Sequence, residues 1–143
     1  KATEQTIDAD GWLHSGDICC RTPDGYYKVT GRLKDMIIRG GENLYPVQIE
    51  DHLRAYHKIK DVAVIGLPDK RLGEIATAII EIKPDTECTE QEINKFCLSL
   101  PKYKRPRKII FADVPRNPTG KIEKPKLREQ YCGGSLVEAQ IKA

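Results

Sequence analysis

Gly31–Pro46 reads GRLKDMIIRGGENLYP, and the fold turns on how this stretch is read. Arg32, Lys34 and Asp35 bring mixed charge, Met36-Ile37-Ile38 run apolar, Gly40-Gly41 follow, and Pro46 stands where a helix can begin. An apolar run with a glycine pair behind it predicts a strand entering a tight turn. Adjacent glycines permit positive φ and let another molecule approach the backbone closely. A charged approach, a short strand and a bare turn fit a hinge beside a binding edge. They fit an ordinary edge hairpin equally well.

Downstream, helical and strand patterns alternate. Pro46 suits a first helical position, and Ile49, Leu53 and Tyr56 follow near one-turn spacing, with Glu50, Asp51 and Arg54 facing elsewhere. Residues 61–67 are nearly all apolar, as in a strand buried on both faces. Residues 75–82 predict a second, central strand and residues 109–112 a third. Thr89-Glu90-Gln91-Glu92 matches a capping box, ahead of Ile93, Phe96, Cys97 and Leu100 at helical spacing, and Pro101 stops that helix. Asn117-Pro118-Thr119-Gly120 is a turn, and Pro125 can open a last short helix through Leu127 and Tyr131. Upstream, Ile18-Cys19-Cys20 and Tyr26–Val29 flank Pro23-Asp24-Gly25 as a β-hairpin too poor in apolar residues to hold a core alone. The expected class is α+β: a small two-layer domain with a central three-stranded sheet flanked by helices and preceded by a β-hairpin.

At 143 residues the chain has room for one ordinary domain. A net charge of +3 is too mild to indicate a nucleic-acid protein by composition, and no apolar run is long enough to span a bilayer. The chain opens on Lys1 with no signal-like segment, which leads us to expect a fragment. The five cysteines are odd in number and lack a C-x-x-C pair, consistent with reduced thiols in an intracellular compartment. His14, His52 and His57 have no metal-ligand spacing, so no metal site is expected.

Four stretches carry candidate chemistry. Thr119-Gly120-Lys121 looks like the end of a P-loop, but Pro115 stands where the first glycine belongs and Ile122 where Ser or Thr would ligate Mg²⁺. By itself it is a polar turn with a solvent lysine. In His14-Ser15-Gly16-Asp17 a carboxylate beside a glycine can accept hydrogen bonds from a vicinal diol, or can simply close a turn. Arg32 and Lys34 offer a planar fork and a mobile charge for oxyanions, or a solvated pair that guards an edge strand. Residues 102–108, KYKRPRK, suit a polyanion, a small phosphorylated ligand or a solvated loop.

Taken in order, GWLHSGD (11–17), DGYYKVTGRLKDMIIRGGENLYPVQIE (24–50), LPKYKRP (100–106) and NPTGKI (117–122) resemble the adenylate-forming superfamily of acyl-CoA synthetases, firefly-type luciferases and peptide-synthetase adenylation domains. The form GGENLYP is most similar to the fatty-acid and short-to-medium-chain acyl-CoA synthetase branch. The resemblance implies that residues 1–31 are the tail of a large N-terminal domain, absent here, and residues 32–131 a mobile C-terminal domain. Residues 132–143 are then a tail expected to be disordered.

The implied activity is an ATP-dependent acid–CoA ligase, inactive as this fragment alone. The alternatives are an adenylation enzyme serving a carrier-protein thiol, or a stand-alone polyanion-binding module. By resemblance, Asp17 accepts the ribose hydroxyls of ATP, Arg32 contacts the same ribose, and Lys34 is the hinge. Gly40 and Gly41 line the path of CoA, and Lys121 is the catalytic lysine that enters the ATP site. Mg²⁺ accompanies ATP without binding to this fragment. The expected partners are the chain's own N-terminal domain, a carboxylic acid, ATP and CoA, with no nucleic acid and no membrane span. The expected compartment is mitochondrial, with peroxisomal and cytosolic as alternatives. Two positions depart from the family pattern: Ile38 stands where many members carry lysine, and Ser15 replaces the more frequent threonine.

Overall fold

The computed structural model describes residues 2–132. A short helix, α1 (Ala2–Thr6), precedes an antiparallel two-stranded ribbon, β1 (Asp17–Arg21) and β2 (Tyr27–Arg32). A 3-10 turn, Leu33–Asp35, then leads into β3 (Ile37–Arg39) and β4 (Glu42–Leu44). After these come α2 (Pro46–Arg54), β5 (Ile59–Asp69), β6 (Gly73–Ile82), α3 (Glu90–Phe96) and β7 (Lys108–Phe111). A final helix, α4, occupies 124–132.

The expected three strands are present, and they form the heart of the second sheet. β5 and β6 pair antiparallel from Ile59↔Ile82 to Asp69↔Gly73. β7 runs parallel to β6 along its other edge, from Thr77↔Lys108 to Ile80↔Phe111. The sheet has five strands rather than three, because β3 joins that same edge through Arg39↔Gly73 and carries β4 with it. Glu74 helps to hold β3 there, since its carboxylate accepts the Ile38 N–H at 2.8 Å.

The α+β class holds, but the layers number three. Val62, Val64, Ala76, Ala78 and Ile80 bury one face of the sheet with Ile49 and Leu53 of α2 and Ile93 of α3. Ala63, Ile65, Leu67 and Ile79 alternate to the opposite face and bury against Val114, Leu127 and Cys132. A strand apolar on both sides needs a cover on both sides, and α4 supplies the second one. Each fully buried aliphatic side chain contributes about 1.5–3 kcal/mol.

Thr89 caps α3 by accepting the Glu92 N–H at 3.3 Å. The Glu92 carboxylate is instead held by Lys58 at 2.7 Å and the Tyr56 hydroxyl at 3.2 Å, so half of the capping box is spent on a tertiary contact. Glu50, expected on an outer face of α2, is only 4% exposed. Cys132 is helical and buried rather than part of a tail, and the rest of the 132–143 segment lies outside the described residues. Cys19, Cys20, Cys88 and Cys97 are free thiols. No helix among the described residues is long and apolar enough to cross a membrane.

Candidate active site

The β1–β2 register sets Asp17 opposite Arg32, with Arg32 Nε 3.7 Å from Asp17 Oδ1 and both side chains partly in solvent. The Leu33 N–H donates to the Gly16 carbonyl at 2.7 Å where the chain leaves the ribbon. Arg32 and Lys34 line a cavity of about 280 Å³ with Ser15, Gly16 and Leu33. They also line one of about 250 Å³ with Asp35, Lys121, Ile122, Lys124 and Pro125. Lys121, far away in sequence, is thereby brought to the same space as Arg32 and Lys34.

The turn that carries Lys121 is braced from within. Asn117 Oδ1 accepts the Thr119 N–H at 3.1 Å, the Thr119 hydroxyl at 2.7 Å and the Lys121 N–H at 2.9 Å. Gly120 takes φ +85°, which a side chain would resist. Arg116 and Ile122 close the turn as a β-bridge, and Lys121 itself is exposed. Two other charges on the 250 Å³ cavity are already engaged. Asp35 receives Arg128 at 2.6 Å, and Lys124 is 2.7 Å from Glu50. Lys34 and Lys121 face the cavity beside Arg32, which Asp17 holds only at 3.7 Å, and three cations around so small a space suit a phosphate chain.

Gly40 and Gly41 lie elsewhere, at the β3–β4 turn, and do not line the Lys121 cavity. Their φ values of +56° and +87° are those a two-residue hairpin turn of the primed type demands. A Cβ on Gly41 would meet nothing within 4 Å, so the space above that turn is open.

The basic loop is partly structural. The Arg105 guanidinium donates to the carbonyls of Leu100 at 2.9 Å and Leu98 at 3.0 Å, Lys104 reaches Gln48 at 3.0 Å, and Pro106 is buried. Arg39 Nη1 donates to the Tyr103 carbonyl at 3.1 Å, linking the loop to the glycine turn.

Sequence reasoning missed the charged groups that hold the Lys121 loop. Arg116 forks onto both oxygens of Asp61, at 2.6 and 2.9 Å. Burial pushes the Asp61 carboxyl up, but the Arg116 fork, the Val62 N–H and the field of Arg54 outweigh it, leaving the group below the usual carboxylate range. The available signal was an acid at position 61 opening an otherwise apolar strand. Among the described residues no group of three or more His, Cys, Asp or Glu side chains is placed to hold a metal ion.

Residues 48–121 match the family model described as the AMP-binding enzyme C-terminal domain. Long-chain-fatty-acid–CoA ligase FadD13 of Mycobacterium tuberculosis is 50% identical over 133 residues, 92% of this chain and 26% of that protein. Mitochondrial medium-chain acyl-CoA ligase ACSF2 of Homo sapiens is 43% identical over 130 residues, 90% of this chain and 21% of that protein. The solved structure of the anthranilate CoA ligase AuaEII in complex with anthranoyl-AMP aligns with a TM-score of 0.85 at 34% identity, over 95% of this chain and 27% of its own. The chain therefore spans 21–27% of the length of these relatives. With the family model running from α2 to the braced lysine turn, the chain belongs to the AMP-binding enzyme C-terminal domain family.

Proposed function

We propose that this chain is the C-terminal part of an AMP-forming acid–CoA ligase acting on a fatty acid. The observation that carries the reading is the place of Lys121: an exposed ammonium on a braced turn, at one cavity with Arg32 and Lys34. Residues 1–31 complete the large N-terminal domain, and residues 32–131 form a cap that turns at Lys34. The exposed apolar side chains Trp12, Tyr26, Tyr27, Val29 and Leu33 support a large domain that covers the ribbon.

In the first half-reaction an oxygen of the acid's carboxylate attacks the α-phosphorus of ATP, and the bond to pyrophosphate breaks. Both partners are anions. The Lys121 ammonium offsets their repulsion and stabilises the charge that develops at phosphorus. Asp17 accepts the ribose hydroxyls, and Arg32 contacts the same sugar. Mg²⁺ travels with the triphosphate and takes no ligand from this chain. In the second half-reaction the CoA sulfur attacks the acyl carbon, AMP leaves, and the thiol proton passes to solvent. Rotation at Lys34 withdraws Lys121 and brings the Gly40-Gly41 turn to the pantetheine arm. The name of the human relative supports a mitochondrial compartment, which cell fractionation tests.

The deciding experiment uses the full-length enzyme. Lys121→Ala lowers pyrophosphate release by about 10²–10³-fold, the scale of losing one preorganised charge donor, and leaves CoA attack on preformed acyl-AMP intact. Pyrophosphate release at the normal rate would overturn the assignment.

A further inference from the structure

The Arg116 guanidinium is divided between two tasks. Nε and Nη2 donate to the two oxygens of Asp61, and Nη1 donates to the Gly120 carbonyl. Gly120 C=O and Lys121 N–H belong to one planar peptide unit. Asn117 Oδ1 accepts that N–H at 2.9 Å. Both poles of the peptide plane that introduces Lys121 are therefore held, one by a side chain within the turn and one by a rigid plane fastened to β5.

The anchor is itself firm. The Asp61 side chain is 12% exposed, its Oδ1 accepts the Val62 N–H at 2.9 Å, and Arg54 Nε lies 3.9 Å from that same oxygen. Downstream, Lys124 is fixed to Glu50, and Arg54 Nη2 lies 4.0 Å from Glu50 Oε2. Arg54 stands between the two acids, so both stems of the loop are tied to the same part of α2 and β5. The Glu123 N–H closes the base by donating to the Pro115 carbonyl at 2.9 Å.

We propose that Arg116 is a positioning residue for Lys121, resting on the adenylation role assigned to that lysine. Arg116 transmits the rigidity of β5 to the peptide before Lys121 and fixes where the ammonium is delivered. Lysine at 116 would keep the charge but not the fork. One ammonium cannot make two bonds to Asp61 and a third to the carbonyl in a fixed plane. A displacement of about 1 Å at a reacting centre costs about 10²-fold in rate.

The test compares Arg116→Lys, Lys121→Ala and the double variant in the full-length enzyme. Arg116→Lys is expected to lower kcat for pyrophosphate release by about 10–10²-fold, with KM for ATP within about twofold and thioester formation from preformed acyl-AMP unchanged. The double variant is expected to be no slower than Lys121→Ala, because Arg116 acts only through that lysine. Equal loss in both half-reactions, or a multiplied loss in the double variant, would overturn the positioning role. If Arg116→Lys fails to fold, Asp61→Asn is read by the same ratio of half-reactions. Normal pyrophosphate release in Lys121→Ala would sink the adenylation role itself. A large loss there, beside normal release in Arg116→Lys, would sink only the positioning role.

Discussion

Asp35 and Arg128 meet at 2.6 Å, although 93 positions separate them in the chain. The pair ties the residue after Lys34 to α4, as the proposed hinge at Lys34 requires. Its side chains are 17% and 29% exposed, so the pair is shielded more than a surface ion pair. Arg128→Met is expected to cost about 1–3 kcal/mol, since the Asp35 carboxylate loses its partner. The midpoint of urea unfolding should fall with its slope unchanged.

Glu50 and Lys124 form the most buried ion pair described, with side chains 5% and 10% exposed. Glu50 also accepts the Val64 N–H at 3.0 Å. Lys124→Met alone is expected to cost about 3–5 kcal/mol, because it leaves a buried carboxylate with only the longer 4.0 Å ionic contact to Arg54. Adding Glu50→Gln should restore much of that loss, and a thermal double-mutant cycle measures the coupling.

Stability should fall on the acid side. Asp61 titrates below its usual range for the reasons given, and Glu81 does so because Lys60 and the Val114 N–H hold its charged form. For each group the unfolded chain binds the proton more readily, so stability rises with pH across this window. The contribution is complete above about pH 5, just above the unperturbed carboxylate values, and is lost as pH falls through the lowered folded values. Denaturant midpoints against pH should show the drop, and Asp61→Asn should flatten it.

Gly41→Ala places a side chain at φ +87° and into open space. The backbone strain is about 1 kcal/mol. If the turn faces CoA as proposed, the thioester step is expected to slow by at least about tenfold, an increase in barrier of about 1.4 kcal/mol. Pyrophosphate release should stay unchanged. Equal slowing of both half-reactions would remove the turn from the CoA path.

Elements governed by local pattern were legible in the sequence. The apolar run of β5, the Thr89 cap and the positive-φ glycine turn depend on near neighbours, and each stands where expected. The second covering layer was not legible, because Ala63 and Ile65 reveal a buried face but not what buries it. The association of β3 with β6 rests on a single backbone pair and the Glu74 carboxylate, which no spacing rule encodes. At the candidate site, Asp17, Arg32, Lys34, the glycine pair and Lys121 were picked out by motif. The residues that hold them, Asp61 with Arg116, Glu50 with Lys124 and Asp35 with Arg128, were not. Such pairs join distant segments, and each partner alone resembles an ordinary surface charge.

With both stems of its loop pinned, retraction of Lys121 by local melting would have to break the Arg116–Asp61 and Lys124–Glu50 pairs. In the two-step reaction proposed above, the lysine would leave by a swing of the whole cap through solvent. Exchange between the two proposed half-reactions would then be a diffusive motion against friction, and thickening the medium with an inert glycerol-type additive should retard it roughly in step with viscosity.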